Sequence, residues 1–567
     1  MSTGYPSVPF QSRVVAALLA IHVVLAVGSM RQASLTWDEP SYIGVGRMML
    51  ETRNPEIKAL QLHPPLSYYV NSILLLPLKC KPDRFRDEQY IHDKYIGPPL
   101  VFDSGYPPWL MMFFVRIPFV VLSALLGALV FRWAKELYGP TAAVLSVFLY
   151  ALCPTVLAHC QLATADVLLA LNMTLALYCL SRYLARPSPR HVVLTGAALG
   201  LSLLTKFTGL ILLPTFLFLV LVRRWKSRKR STDPEVPDRL ALRLVLIFGI
   251  AAVVVWAGYG FQFGVPFMPE WLKPEAERLI EEKPFWHAVD AMAARGVRVP
   301  AYSYILGIYT QLAAAKSWKD NFLFGRISST GWWYFYWAAF LIKTPLPFLA
   351  CILVGLGLRP KVSVCKKDEN FLLLSMLPMV LFFSLPTKIN IGIRYILPLL
   401  PLLCIMAGKV ANIESKTWKK GMALLCMWYA GSALWIYPHY LAYFNELVGG
   451  PSNGYKFLVD SNLDWGQDLQ ELADHLEKND ASDPKIKYFG PPDVMQYYGL
   501  ENADLSDCEP SPGTWIISAT YLQNLYLADR NCHDWLRALE PENVIGYSIF
   551  IFEVSEQQIV RIYEPRP

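Results

Sequence analysis

Charge is scarce in this chain. Only 17% of its 567 residues are Asp, Glu, Lys or Arg, where a soluble domain carries about a quarter. No internal repeat and no low-complexity segment interrupts it. The ten cysteines form no CxxC and no Cys/His cluster at metal-ligand spacing, so neither a zinc module nor a redox motif is written here. A basic face on a soluble domain, which nucleic-acid binding needs, is missing too, because the net charge of +7 is spread through separate loops.

Apolar sequence fills the space. Hydrophobic residues make up 54% of the chain, and runs long enough for a membrane-spanning helix of roughly 20 residues recur throughout. Eleven spans are expected, at 14–30, 109–131, 140–158, 167–184, 192–205, 207–222, 242–260, 333–357, 371–386, 394–411 and 420–437. The stretch 192–222 also reads as one kinked helix. The first run has no small-residue cleavage site and is followed at once by Asp38 and Glu39, so it is read as an uncleaved anchor.

Lys and Arg gather in "RWAKE", "SRYLARPSPRH", "RRWKSRKR", "RPKVSVCKK" and "ESKTWKK", all on alternate connections. Short cytoplasmic loops collect such residues. The opposite, exoplasmic side then receives residues 31–108, the turn around Asp166, residues 261–332, the turn before Arg394, and the tail from 438. In the second large loop, "EAERLIEEKPFWHAVDAMAARG" has helical periodicity. In the tail, "KIKYFG", "TWIISAT" and "VIGYSIFIFEV" read as strands, with helical stretches near 467–478 and 522–539. The expected fold is therefore a polytopic α-helical membrane domain over 1–437, followed by a small exoplasmic α/β domain over 438–567. Most cysteines lie in or beside spans as small apolar packers, whereas Cys508 and Cys532 share the tail and can pair. The sequon Asn172-Met173-Thr174 falls inside a span and is not expected to carry a glycan.

Ionisable residues at a membrane boundary are costly and suggest function by default. "TWDEP" places Asp38 and Glu39 after the first span, and "HPPL" fixes His63 beside two prolines. "ATADV" places Asp166 at the mouth of the fourth span, "LLTKFTG" adds Lys206, and "TKINIGIRY" adds Lys388 and Arg394. Acids and bases converging on one face suit an anionic substrate and a proton to be removed. Each has a plainer reading on its own. Asp38, Glu39 and Asp166 can be helix caps, the three cations can be headgroup anchors, and His63 can be a structural hydrogen-bonding residue.

In their order, "TWDEP", "HPPL", "ATADV" and "LLTKFTG" resemble the GT-C glycosyltransferases, in the branch containing protein O-mannosyltransferases and the lipid A aminoarabinose transferase. The wording of "HPPL" looks like the mannosyltransferase side. "GWWYFYWAAFLIKTPLPFL" and the tail's "AYFNELVGGPSNGYKFLVDSNLDWGQDL" look like bacterial membrane proteins of this superfamily. The resemblance implies inverting transfer of a sugar from a polyprenyl-phosphate donor to an acceptor on the exoplasmic face, the acceptor being a protein, lipid or polysaccharide. Carried onto this chain, Asp38 is the general base, Glu39 orients it, and Asp166 assists. His63, Lys206 and Arg394, with Lys388, hold the donor phosphate. Tyr42, Tyr395, Asp460, Asp464 and Trp465 are candidate substrate contacts, although the last three, in "DSNLDWGQDL", can equally just join the tail to the membrane domain.

One departure is that the aminoarabinose branch has an Arg three positions after its aspartate, where this chain has Ser41; the nearest arginine is Arg47. A lipid phosphate leaves without a nucleotide, so no cofactor is required, and neither a dinucleotide glycine motif nor a DxD is evident. A divalent metal between Asp38 and Asp166 is an option that some relatives of this class take. The expected location is the bacterial inner membrane, facing the periplasm or exterior. The competing class is a transporter or flippase of a lipid-linked or anionic solute; such proteins more often show repeated halves and polar groups at mid-membrane.

Overall fold

The computed structural model describes residues 8–52, 63–79, 97–228, 236–266, 291–318, 320–358, 363–385, 388–479, 484–504 and 506–563. Most of the helical stretch expected near 275–296 lies outside the described residues, as do parts of two basic connections. Among the described residues, five helices are long and apolar enough to cross a membrane: Phe10–Met30, Pro108–Tyr138, Ala165–Ala185, Phe207–Trp225 and Ala241–Gly258. Two bent pairs raise the number to seven, and Leu66–Leu75, Glu369–Phe383 and Leu399–Asn412 are shorter apolar helices. The chain is an integral membrane protein. Large apolar side chains such as Val24, Trp109 and Leu353 stand about 70% exposed on the outside of the bundle, where lipid rather than water suits them.

The expected eleven straight spans are thus met only in part, and proline accounts for much of the difference. A proline inside a helix lacks an N–H and clashes with the turn before it, so it tends to begin a new helix. Pro154 opens Pro154–Cys160, bent 59° from Pro140–Ala151. The single span expected over 333–357 is two helices, Phe335–Lys343 and Leu346–Gly357, turned by 115° around Thr344 and Pro345. Asn445 fills that turn. Its amide nitrogen reaches the carbonyls of Leu341 (2.6 Å) and Thr344 (2.9 Å), and its backbone N–H reaches that of Ile342 (2.8 Å), satisfying carbonyls that a helix end leaves free. The stretch 192–222 is likewise two helices, broken where Lys206 takes an extended conformation.

Five helices frame the ionisable residues at one end of the bundle: α1 (Val8–Met30), α2 (Glu39–Thr52), α3 (Pro108–Tyr138), α4 (Ala165–Ala185) and α5 (Pro189–Thr205). Gly46 lets α2 lie against the helix Leu66–Ser72, since a Cβ there would stand 2.3 Å from the Tyr68 carbonyl oxygen. A short turn joins α4 to α5, so the start of one and the end of the other share that end of the bundle.

The tail holds a four-stranded sheet of β1 (Lys485–Lys487), β2 (Gly513–Ser518), β3 (Asn543–Ile545) and β4 (Ile549–Val554), in the order β1-β2-β4-β3. β1 runs parallel to β2 and the other pairs are antiparallel. The helix Leu469–Asn479 is present, and all three expected segments contain strands, but "VIGYSIFIFEV" folds as two antiparallel strands, β3 and β4, turned at Gly546 and Tyr547. The helix expected over 522–539 is not: only Ala519–Leu522 and Asp534–Arg537 are helical. Asn524, at positive φ, bonds the Arg530 carbonyl, Asp534 and the His533 amide, local bonds that compete with a helix. Cys508 and Cys532 form a disulfide closing that loop back onto the sheet.

Candidate active site

Glu39 opens α2 and is sealed. Arg116, in the third turn of α3, donates from Nε to Oε1 (2.8 Å) and from Nη2 to Oε2 (2.6 Å), and both side chains are fully buried. The other Arg116 donors reach the carbonyls of Met30, Ala33 and Ser34 at 2.7–3.0 Å, so all five N–H groups of the guanidinium are engaged. Glu39 also accepts from the Thr36 amide and hydroxyl and from the Ala163 amide. Burial alone would raise its carboxyl, but Arg116 and these donors hold it below the ordinary carboxylate range. This knot ties the end of α1, the start of α2 and the approach to α4 to one point on α3.

Asp38, one residue earlier, faces the other way. Its Oδ2 accepts from Arg394 Nη1 at 2.6 Å, and its side chain stays 27% exposed, the most open of the group. The same guanidinium nitrogen lies 4.0 Å from Asp166 Oδ2. Asp166 Oδ1 accepts from Lys206 Nζ at 2.8 Å, and Thr164 donates to Oδ2 at 3.1 Å. Helix ends help: Asp166 lies in the first turn of α4 and Lys206 just past the last turn of α5, each where the helix dipole favours its sign. Two carboxylates and two cations therefore balance in one largely buried cluster.

Aromatic rings enclose the cations. Lys206 Nζ stands 4.7 Å from the Tyr395 ring centre, and the Arg394 guanidinium 4.2 Å from that of Trp465, distances at which cation–π attraction operates. His63 stacks on Tyr42 at 5.5 Å, and its Nδ1 is buried without a hydrogen-bond partner. Burial, and next Lys206, push its imidazole down to about 4, so at neutral pH it is an uncharged donor or acceptor beside the cluster. Lys388 differs from the rest in being exposed.

The tail reaches the same place. Trp465 is 1% exposed, and the neighbouring Asp460 and Asp464 are buried with it. Asp460 accepts from the Tyr526 hydroxyl and the Ser461 amide, and burial raises its carboxyl. Asp464 Oδ2 accepts from the Thr520 amide (2.9 Å) while Oδ1 has no partner, and burial pushes this carboxyl up to about 8. Asn462 accepts from the Ile393 amide (2.9 Å) and donates to the Ile391 carbonyl (2.7 Å), clasping the turn that carries Arg394.

Several residues here escaped the sequence reading. Arg116 and Lys343 each stand alone in an apolar run, a signal that was available; Lys343 Nζ donates to the carbonyls of Leu441 (2.8 Å) and Asn462. Buried His159, with neither ring nitrogen bonded, packs its edge 6.3 Å from Trp465, and nothing in "LAHCQL" announced it. As for metals, Asp38 and Asp166 already share the charges of Arg394 and Lys206, so a cation there would have to displace one of them. His439, Asp468 and Glu471 also converge. However, the imidazole turns Nδ1 to Asp468 (3.6 Å) and Nε2 to Glu471 (3.8 Å), which suits a protonated ring between two carboxylates better than one shared ion.

Residues 111–256 match the family described as dolichyl-phosphate-mannose-protein mannosyltransferase. That segment includes "ATADV" and "LLTKFTG", so the match meets the resemblance to GT-C glycosyltransferases. No curated protein matches the chain in sequence. Among solved structures, ArnT from Cupriavidus metallidurans bound to undecaprenyl phosphate is 13% identical with a TM-score of 0.48, covering 99% of this chain and 100% of that one. The S. cerevisiae Pmt1–Pmt2 complex bound to its sugar donor is 18% identical, with a TM-score of 0.36 over 45% of this chain and 34% of that one. AglB from Archaeoglobus fulgidus, with an inhibitory peptide and a dolichol-phosphate, is 13% identical with a TM-score of 0.41 over 74% and 56%.

Proposed function

We propose that this chain is a membrane glycosyltransferase moving a sugar from a polyprenyl-phosphate donor to an acceptor hydroxyl, with inversion, on the exoplasmic side of a bacterial inner membrane. The observation that carries this reading is the meeting of Asp38, Asp166, Lys206 and Arg394, from distant stretches of sequence, in one cluster with a single open acid. Asp38 takes the acceptor proton as the acceptor oxygen bonds to the anomeric carbon. The carbon–oxygen bond to phosphate breaks on the opposite face, and the lipid phosphate leaves with one more negative charge than it carried as a diester. Arg394 and Lys206 stabilise that developing charge, Arg394 through a fork that matches two phosphate oxygens.

In the structure both cations are held by the acids. Donor phosphate therefore competes with Asp38 for Arg394, and its arrival releases Asp38 to act as a base. Donor binds before acceptor in this scheme. Transfer of radiolabelled sugar from a polyprenyl-phosphate donor, in membranes carrying wild type or Asp38→Asn, tests it. Loss of about a hundredfold or more is expected when a general base is removed, and equal rates would remove Asp38 from the role.

A further inference from the structure

We infer that Trp465 is a positioning residue: the tail segment 459–465 forms a fixed wall that aims Arg394 at the donor phosphate. This rests on the function proposed above, and it gives the tail a part in the reaction that no transmembrane motif supplies. Arg394 lies in the short turn Ile393–Ile396, and its long side chain has many rotamers to lose. Three contacts between the tail and this turn remove that freedom. The indole face of Trp465 carries the guanidinium at 4.2 Å and, at 1% exposure, has no room to take a sugar as well. Asn462 clasps the Arg394 turn on both sides, at the Ile391 carbonyl and the Ile393 amide. Gly392 permits the approach, since a Cβ there would stand 2.5 Å from Ser461 Oγ.

The wall is itself anchored from both sides. The Trp465 carbonyl accepts from the Trp37 amide (3.0 Å), next to Asp38, and its own amide donates to Gln467 (2.9 Å). Asp460 and Asp464 bind Tyr526 and Thr520, beyond the strand β2. One segment thus sets both the acid and the cation of the cluster. Arg394 Nη1 is the donor turned to the acids, 2.6 Å from Asp38 and 4.0 Å from Asp166, while Nε is buried with no partner.

The test is binding of undecaprenyl phosphate to the full-length detergent-solubilised protein, with melting temperature read in parallel. Trp465→Leu keeps bulk but removes the aromatic face, and is expected to weaken binding about tenfold. Trp465→Phe should restore most of the affinity. In an Arg394→Met background, Trp465→Leu should add no further loss, because the two act as a unit. If Trp465→Leu does not accumulate folded, Asn462→Asp, which removes the hydrogen bonds from Nδ2 to the Ile391 and Val459 carbonyls, takes its place with the same expectation. Unchanged affinity in Trp465→Leu, or a loss that persists in full in the Arg394→Met background, overturns the inference. If Arg394→Met itself binds as tightly as wild type, the phosphate assignment under the proposed function fails instead.

Discussion

Asp38 and Glu39 are neighbours in sequence with the same functional group, yet they face opposite conditions. Glu39 is fully buried, with every oxygen bonded and a guanidinium whose donors are all spent. Asp38 is partly open and leans on one arm of an arginine shared with a second acid. The difference separates rigidity from reactivity. A carboxylate with no unclaimed lone pair can locate a loop but cannot take a proton, while one held by a single exchangeable partner can do so once that partner is drawn away. Adjacent residues at the start of a helix point about 100° apart, and here that angle divides a sealed carboxylate from an open one.

Breaking the sealed half should have the largest effect. Arg116→Met leaves Glu39 buried and unpaired, a loss of about 3–5 kcal/mol against a typical total of about 5–15, so little folded protein should be recovered by size-exclusion chromatography in detergent. Next comes the open half: Asp38→Asn should cut transfer by about a hundredfold to ten-thousandfold with the melting temperature almost unchanged. A large drop in melting temperature would mean that Asp38, like Glu39, is scaffold. Arg394→Lys keeps the charge but loses the fork. It should raise the donor KM by about tenfold while the acceptor KM stays close to wild type. The smallest effect is expected at Asp464. Its carboxyl is raised to about 8 by burial, so between the ordinary carboxylate value and pH 8 the folded protein binds the extra proton. Stability then falls as pH rises through that window. Asp464→Asn should flatten this fall, seen as a smaller decrease in melting temperature from about pH 6 to about pH 9 than in wild type.

The helical membrane architecture was legible because apolar runs of membrane length are rarely needed anywhere but in a bilayer. Span continuity was less so. Hydropathy is blind to a bend, and "KTPLPF" reads as apolar whether the helices continue or turn by 115°. In the tail, strands with alternating or continuous apolar runs were found, whereas 522–539 looked helical because its loop bonds depend on where Asn524 ends up. Site residues that lie at span ends could be named from sequence, but their pairing could not. Nothing in "TKINIGIRY" says that Arg394 turns to Asp38 while Lys388 stays exposed. Nor does "DSNLDWGQDL" say that its tryptophan faces an arginine from a distant turn. Such contacts join residues far apart along the chain, beyond the reach of local pattern.

The bond from the Ala163 amide to Glu39 also sets a spacing. Asp166 lies three residues after Ala163 and Asp38 one before Glu39, so this single bond measures off the distance between the two acids. Chain inserted or lost elsewhere between them leaves that spacing as it was. The segments between them can then differ in length without moving Asp38 relative to Asp166, as long as Glu39 stays fixed on Arg116.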